Sequence, residues 1–201
     1  MLKQKKVQDQ KKIADYRKLV KKVLDSRDGH IYDLNSLKDT TQLLQANPEY
    51  NAAWNYRRDI IVHLESELDL QFWGNELLFT LSQLRQYPKV YWIWNHRLWV
   101  LSHHLDSSVK VWEEELQMVS KLLVMDARNF HGWLYRRIIV KNIERITGRR
   151  RDEEELAYTT ENINKNISNF SAWHQRTVLL SEMFDRGEIE NETKFIQDEF
   201  S

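Results

Sequence analysis

The sequence predicts an all-α fold: a right-handed superhelical stack of antiparallel helical hairpins, an α-α solenoid, occupying residues 1–201 as one domain. Three observations carry this expectation. A Trp-x-x-Arg frame recurs at Trp54/Arg57, Trp94/Arg97, Trp133/Arg136 and Trp173/Arg176, with Trp-to-Trp steps of 40, 39 and 40 residues. So regular a period marks a repeat array built from one supersecondary unit. Six and seven residues after each Trp stand Ile60-Ile61, Val100-Leu101, Ile139-Val140 and Leu179-Leu180, which extends an apolar stripe along one helix face. Finally, five glycines and two prolines beside eight tryptophans suit long helices around a bulky core.

The elements follow in order. Over 5–25, Val7, Ile13, Tyr16, Val20 and Val23 fall near helical spacing among lysines, giving a basic amphipathic helix that Asp28-Gly29 ends. It is read as a solvated cap on the stack; the other reading is a contact with a membrane surface or a partner. Four helix pairs come next, with first helices near 34–46, 72–86, 109–125 and 152–165 and second helices opening near each Trp. Between the two helices of each pair stand Asn47-Pro48, Tyr87-Pro88, Asp126-Ala127 and Asn166-Ile167, residue types that stop one helix and start another. The basic loop at 148–152, GRRRD, is expected to be a solvated linker between pairs three and four. Three residues before each Trp stand Asn51, Tyr91, Phe130 and Phe170, a column assigned to the structural frame. From 188 a fifth pair begins, and the chain stops within it. Phe195, Ile196 and Phe200 then lack a partner helix, so a truncated chain or an end covered by another protein is expected.

Composition excludes several classes. With 30 Lys and Arg against 30 Asp and Glu, no global basic field recruits nucleic acid, although residues 1–30 alone are net +6. Absence of cysteine removes disulfides and thiolate metal sites. No apolar run approaches a membrane span and the N-terminus has no secretory core, so a soluble intracellular protein is expected. His96, His103, His104 and His174 lack metal-ligand spacing, and no phosphate loop or nucleophile elbow is present.

If repeated columns are frame, a site belongs where repeats differ. Five residues before the Trp stand Glu49, Lys89, Arg128 and Ser168, and two before it Ala52, Trp92, His131 and Ser171. All lie in the turn leading into a second helix, where exposed amides and the helix dipole suit an anion such as phosphate. Adjacent repeats pack closely enough for Lys89, Tyr91 and His131 to converge on a diphosphate. Periodicity alone favours a plainer assignment, with Lys89 an exposed lysine, Tyr91 core and His131 a turn residue. The Trp and Arg columns are assigned to structure, each Arg pairing or stacking inside the array, in preference to a single-strand stacking platform.

With these residues in view, the fourfold frame and the segments NPEYNAAWNYRRDII, YPKVYWIWNHRLWVL and DARNFHGWLYRRIIV resemble the tetratricopeptide-like repeat of protein prenyltransferase α subunits. Within that family the wording is most similar to the yeast-like type II enzymes, which modify Rab GTPases. The resemblance runs from about Val7 to the end. It implies a heterodimer, in which the α subunit scaffolds a β subunit that holds zinc and the isoprenoid pocket and binds geranylgeranyl diphosphate at the interface. No cofactor is implied in this chain. The motif Pro88-Lys89-Val90-Tyr91 carries over Lys89 as stabiliser of the departing diphosphate and Tyr91 as its neighbour. Asn129-Phe130-His131-Gly132-Trp133 carries over His131, with Arg128 beside it as a substrate-binding cation. Agreement with the variable columns reverses the plainer assignment of Lys89.

One departure points to the type. After the equivalent tyrosine, the farnesyl and type I enzymes carry a Gln that meets a CaaX carboxylate, whereas this chain has Trp92. That favours the type II enzyme, whose Rab substrates are presented by an escort protein. The rivals are the α subunit shared by farnesyltransferase and the type I enzyme, a non-catalytic helical scaffold, and, more remotely, a nucleic-acid-binding array.

Overall fold

The computed structural model describes residues 2–103 and 108–189, with side chains described from residue 6 onward. All regular structure among these residues is helical: α1 (Leu2–Asp28), α2 (Leu34–Ala46), α3 (Asn51–His63), a 3₁₀ turn (Glu65–Glu67), α4 (Leu70–Gln86), α5 (Tyr91–His103), α6 (Val109–Met125), α7 (Phe130–Thr147), α8 (Asp152–Lys165) and α9 (Phe170–Asp185). The chain forms two compact units, Met1–Asp106 and Ser107–Ser201, each carrying two of the four hairpins. The expected fifth pair, from 190 on, lies outside the described residues, as does His104.

Local chemistry sets the helix boundaries. Asp33 and Asp69 cap α2 and α4 by accepting from the amides of Ser36 and Phe72, at 2.7 and 2.8 Å, and Asn129 and Asn169 do the same for α7 and α9. Gly148, at φ 67°, ends α7 in the left-handed conformation that glycine adopts without a side-chain clash. In each turn between paired helices, the Trp of the second helix donates its indole N–H to a carbonyl six residues back: Trp54 to Pro48, Trp94 to Pro88, Trp133 to Ala127 and Trp173 to Ile167, at 2.7–2.9 Å. The Trp column is therefore a clamp on the turn as well as apolar bulk.

The Arg column is the second device. Arg57 donates to the Leu37 carbonyl and to Thr40 and Thr41 in the first helix of its own pair, and Arg97 to the Leu77 carbonyl and Thr80. In the second unit Arg136 reaches Ser120, and Arg176 reaches the Leu156 carbonyl, Thr159 and Thr160. Within each unit an arginine also reaches forward to the next pair. Arg57 grips Glu76 through two 2.6 Å bonds, and Arg136 grips Glu155 at 2.9 and 2.5 Å. The guanidinium fork matches a carboxylate in this way where an ammonium cannot. Arg136 lies 3.4 Å over the Tyr158 ring and Arg57 lies 4.9 Å over Phe79. Arg57 and Arg136 thus pair and stack inside the array, and all four arginines hydrogen-bond the first helix of their own pair.

Three expectations change. The column Asn51, Tyr91, Phe130 and Phe170 is not frame: all four are exposed, Phe130 by 65% and Phe170 by 77%. At 100° per residue, the buried stripe at Trp, +3, +6 and +7 centres to one side of Trp, whereas −3 falls about 60° to the other. The loop at 148–152 is more than a solvated linker, because Arg150 pairs with Glu144 and Asp152, and Arg151 with Glu113. Finally, α1 packs on α2 through Tyr16, Val20 and a fully buried Val23, while Val7 and Ile13 stay exposed. Only its C-terminal half acts as a cap.

Candidate anion site on the hairpin turns

Lys89 stands in the turn between α4 and α5, and the residues around it fix that turn. Pro88 on one side gives its carbonyl to the Trp94 indole at 2.9 Å, and Val90 on the other side is buried at 7% exposure. The Val90 amide donates to the Tyr87 carbonyl, and the Tyr87 amide to Gln83 at the end of α4. With both neighbours anchored, the Lys89 side chain is left exposed and makes no ion pair among the described residues. An unpaired cation on a pinned turn carries little ordering cost when an anion arrives.

Tyr91 opens α5 two residues later and is 47% exposed, so it is not the core residue that periodicity alone favoured. Its ring packs edge-on against Trp92 at 5.2 Å, and its hydroxyl oxygen accepts from Asn95 at 3.4 Å. A lysine ammonium, a phenol and the N-terminal end of α5 thus share one surface of the first unit.

The equivalent turn in the second unit presents Arg128 and His131. Arg128 is exposed, and its guanidinium has no ion pair among the described residues. Its backbone is held by neighbours, since Ala127 O accepts from both the Trp133 indole and Asn169, and Arg128 O accepts from Ser171. His131 is the second residue of α7, half-buried, with its ring 4.0 Å from that of Phe130. Gly132 follows in a tight spot: a Cβ there would stand 3.0 Å from Leu123 Cδ2, so a larger residue requires the Leu123 side chain to give way. Lys89 and Tyr91 are thus brought together on one turn, and Arg128 and His131 on another.

Beside the second turn, the exposed aromatics frame a groove of about 380 Å³ lined by Phe130, Trp133, Leu134, Phe170, Ser171 and His174. Apolar surface left open at the ends of α7 and α9 suits contact with another protein.

The histidines divide by environment. His96 is fully buried, with its Nε2 donating to Glu76 at 2.7 Å. An ionised carboxylate can only accept, which places the imidazole proton on Nε2. Burial, opposing the bond to Glu76, pulls the His96 pKa down and keeps the ring neutral. Burial also works against ionisation of Glu76, but the charge and hydrogen bonds of Arg57, with the His96 bond, outweigh it and hold the carboxyl below the usual range. No cluster of metal-ligating side chains exists among the described residues.

Columns that the repeat reading passed over include Thr40, Thr80, Ser120 and Thr159, and Glu76 and Glu155. With Glu115 standing between Glu76 and Glu155, both columns keep the 39–40 residue period, and arginines of the Arg column donate to Thr40, Thr80, Ser120, Thr159, Glu76 and Glu155. The period itself could have found them.

Comparison with known proteins agrees with the repeat architecture. A family model described as the protein prenyltransferase alpha subunit repeat matches residues 33–64, 73–104, 112–143 and 152–183. The whole chain is 59% identical to the geranylgeranyl transferase type-2 subunit alpha of Saccharomyces cerevisiae, covering 62% of that protein. It is 41% identical to the same-named subunit of Candida albicans over 88% of this chain and 51% of that one. For the Rattus norvegicus subunit the values are 35%, 89% and 31%. The chain therefore spans less than two thirds of these relatives. Among solved structures, Candida albicans protein geranylgeranyltransferase-I complexed with GGPP aligns with a TM-score of 0.68 at 22% identity, over 83% of this chain and 53% of that one, which supports the fold.

Proposed function

Because the chain belongs to the protein prenyltransferase alpha subunit family, we propose that it serves as the α subunit of a type II protein geranylgeranyltransferase. In this reading it acts in the cytoplasm, joined to a β subunit that holds zinc and the isoprenoid pocket, and transfers geranylgeranyl to C-terminal cysteines of Rab GTPases brought by an escort protein. The observation that carries the site is Lys89: an exposed, unpaired ammonium on a turn fixed from both sides, next to an exposed phenol.

The chemistry follows from where charge develops. Zinc on the β subunit would supply the substrate cysteine as thiolate. As the thiolate attacks C1 of the isoprenoid, the C–O bond to diphosphate breaks and negative charge collects on the leaving oxygens. A fixed cation and hydrogen-bond donors there lower the barrier, because they strengthen as charge grows. Lys89 supplies the charge and Tyr91 a hydrogen bond. In this reading Arg128 and His131, on the equivalent turn of the second unit, serve as further substrate-binding groups. Trp92, where type I and farnesyl α subunits resemble one another in carrying Gln, favours Rab proteins over CaaX peptides.

The test is co-expression of this chain with a type II β subunit, affinity capture through the α chain, and assay of geranylgeranyl transfer. Co-purification with transfer to a Rab in the presence of escort protein, and none to CaaX peptides, is the expected result. Transfer to CaaX peptides would assign the chain to the shared type I and farnesyl subunit instead. Failure to capture any prenyltransferase β subunit would leave a scaffold.

A further inference from the structure

A chain of polar side chains crosses from α3 to α5 beneath Tyr91. Arg58 Nη2 donates to Asn55 Oδ1 at 3.0 Å, and Asn55 Nδ2 donates to Asn51 Oδ1 at 3.0 Å. On its other side Arg58 Nη1 donates to Asn95 Oδ1 at 3.0 Å, and Asn95 Nδ2 donates to Tyr91 Oη at 3.4 Å. Arg58 Nε also points at the Trp54 carbonyl, at 3.5 Å, so the guanidinium is seated on its own helix before it reaches across.

The direction of these bonds is dictated by chemistry. A guanidinium has donors and no acceptor, so Asn95 must turn its carbonyl oxygen toward Arg58. Its NH2 then faces Tyr91, and the phenol oxygen has to accept. A phenol that accepts from Asn95 directs its own O–H to a different group, so Tyr91 is polarised as a donor. Without Arg58 the Asn95 amide could turn over and take the phenol proton itself.

Position among the repeats agrees with a special role. Four residues after the Trp stand Arg58, Leu98, Arg137 and Thr177, and one after it Asn55, Asn95, Leu134 and His174. These columns differ from repeat to repeat, and the Asn–Arg–Asn combination occurs only where it can reach the tyrosine that neighbours Lys89.

We propose that Arg58 and Asn95 are positioning residues that set Tyr91 as a hydrogen-bond donor toward a diphosphate held at Lys89. This deepens the reading of the Lys89 turn given above and rests on it. Asn95→Asp is the sharpest probe. The carboxylate keeps the size of Asn95 and gains a charge-assisted bond to Arg58, but it can only accept, so the phenol proton is drawn inward and away from the ligand.

The experiment uses the full-length α subunit assembled with its β subunit. It measures single-turnover transfer from geranylgeranyl diphosphate at saturating acceptor for wild type, Tyr91→Phe, Asn95→Asp and the double variant, alongside thermal stability of each complex. Asn95→Asp and Tyr91→Phe are each expected to slow transfer about tenfold, the value of one hydrogen bond to a charged group. The double variant is expected to be no slower than either single one, since both remove the same donor. A merely structural Asn95 would change melting and leave this coupling absent. Wild-type transfer by Asn95→Asp beside a slow Tyr91→Phe overturns the relay and leaves the Lys89 reading standing, as does a double variant whose losses multiply. Full activity of both Tyr91→Phe and Lys89→Ala overturns the relay together with that reading. Should Asn95→Asp not assemble with β, Arg58→Met replaces it. That variant is expected to be slow alone and to add nothing to Tyr91→Phe, and a wild-type rate overturns the proposal.

Discussion

Arg57 and Glu76 meet through two hydrogen bonds of 2.6 Å with both side chains at most 4% exposed, joining the second helix of one hairpin to the first helix of the next. Arg136 and Glu155 repeat the arrangement in the second unit. Breaking such a pair strands a buried charge, so Arg57→Ala should cost about 3–5 kcal/mol. Glu76→Gln should cost less, because the amide oxygen still accepts one bond. Urea denaturation at constant slope measures both, and a loss under about 1 kcal/mol for Arg57→Ala would contradict a structural role for the pair.

The same cluster makes stability sensitive to acid. His96 has a lowered pKa when folded, so the unfolded chain binds more protons once pH falls below about 6.5. Stability is then lost as pH drops from there toward the folded-state value. Glu76 acts in the same direction at lower pH: its folded pKa lies below the ordinary glutamate range, and its contribution fades as pH falls through and beneath that range. Melting temperature should decline between about pH 7 and 5. His96→Gln, which places at this position the residue found at the equivalent Gln175, should flatten the upper part of that decline. Parallel profiles for the two proteins would contradict the assignment.

Much of this was legible beforehand, and the limits have physical causes. The frame was readable because a period near 40 fixes the register, and the first helices at 34–46, 109–125 and 152–165 match α2, α6 and α8 as found. Lys89 was singled out because it stands in a column that differs from repeat to repeat, and its exposure on a pinned turn is what the structure adds. The burial of the column three residues before the Trp was misjudged, since recurrence shows that a position is constrained without showing toward what. Phe130 and Phe170 recur on the outside, at helix ends left exposed among the described residues. The Arg58–Asn95 link escaped notice because it joins residues 37 apart, which only the packing of α3 beside α5 brings into reach.

The Trp clamp has a separable role from Trp bulk. Trp94→Phe keeps an aromatic ring in the core but removes the indole bond to the Pro88 carbonyl. A loss of about 1–3 kcal/mol in stability is expected from the unmet carbonyl and reduced volume. If the turn holds Lys89 in place, single-turnover transfer in the assembled enzyme should fall as well, beyond what partial unfolding explains. An unchanged rate in a destabilised protein would separate the turn from the chemistry.

The exposed aromatics make the opposite prediction. Phe170 is 77% exposed, so Phe170→Ser should leave melting within a degree or two of wild type, as surface changes do. Under the proposed assembly its effect should appear in capture of the β subunit through the apolar groove of the second unit. Undiminished capture would remove that groove from the interface.

The central claim concerns Lys89, and the most direct measurement is single-turnover geranylgeranyl transfer by the assembled heterodimer carrying Lys89→Ala. Lys89 is exposed and unpaired, so the substitution should leave melting and subunit assembly unchanged while the chemical step slows by roughly 10-fold or more, the loss of a cation that meets developing charge. A rate equal to wild type in a fully assembled enzyme would contradict the account.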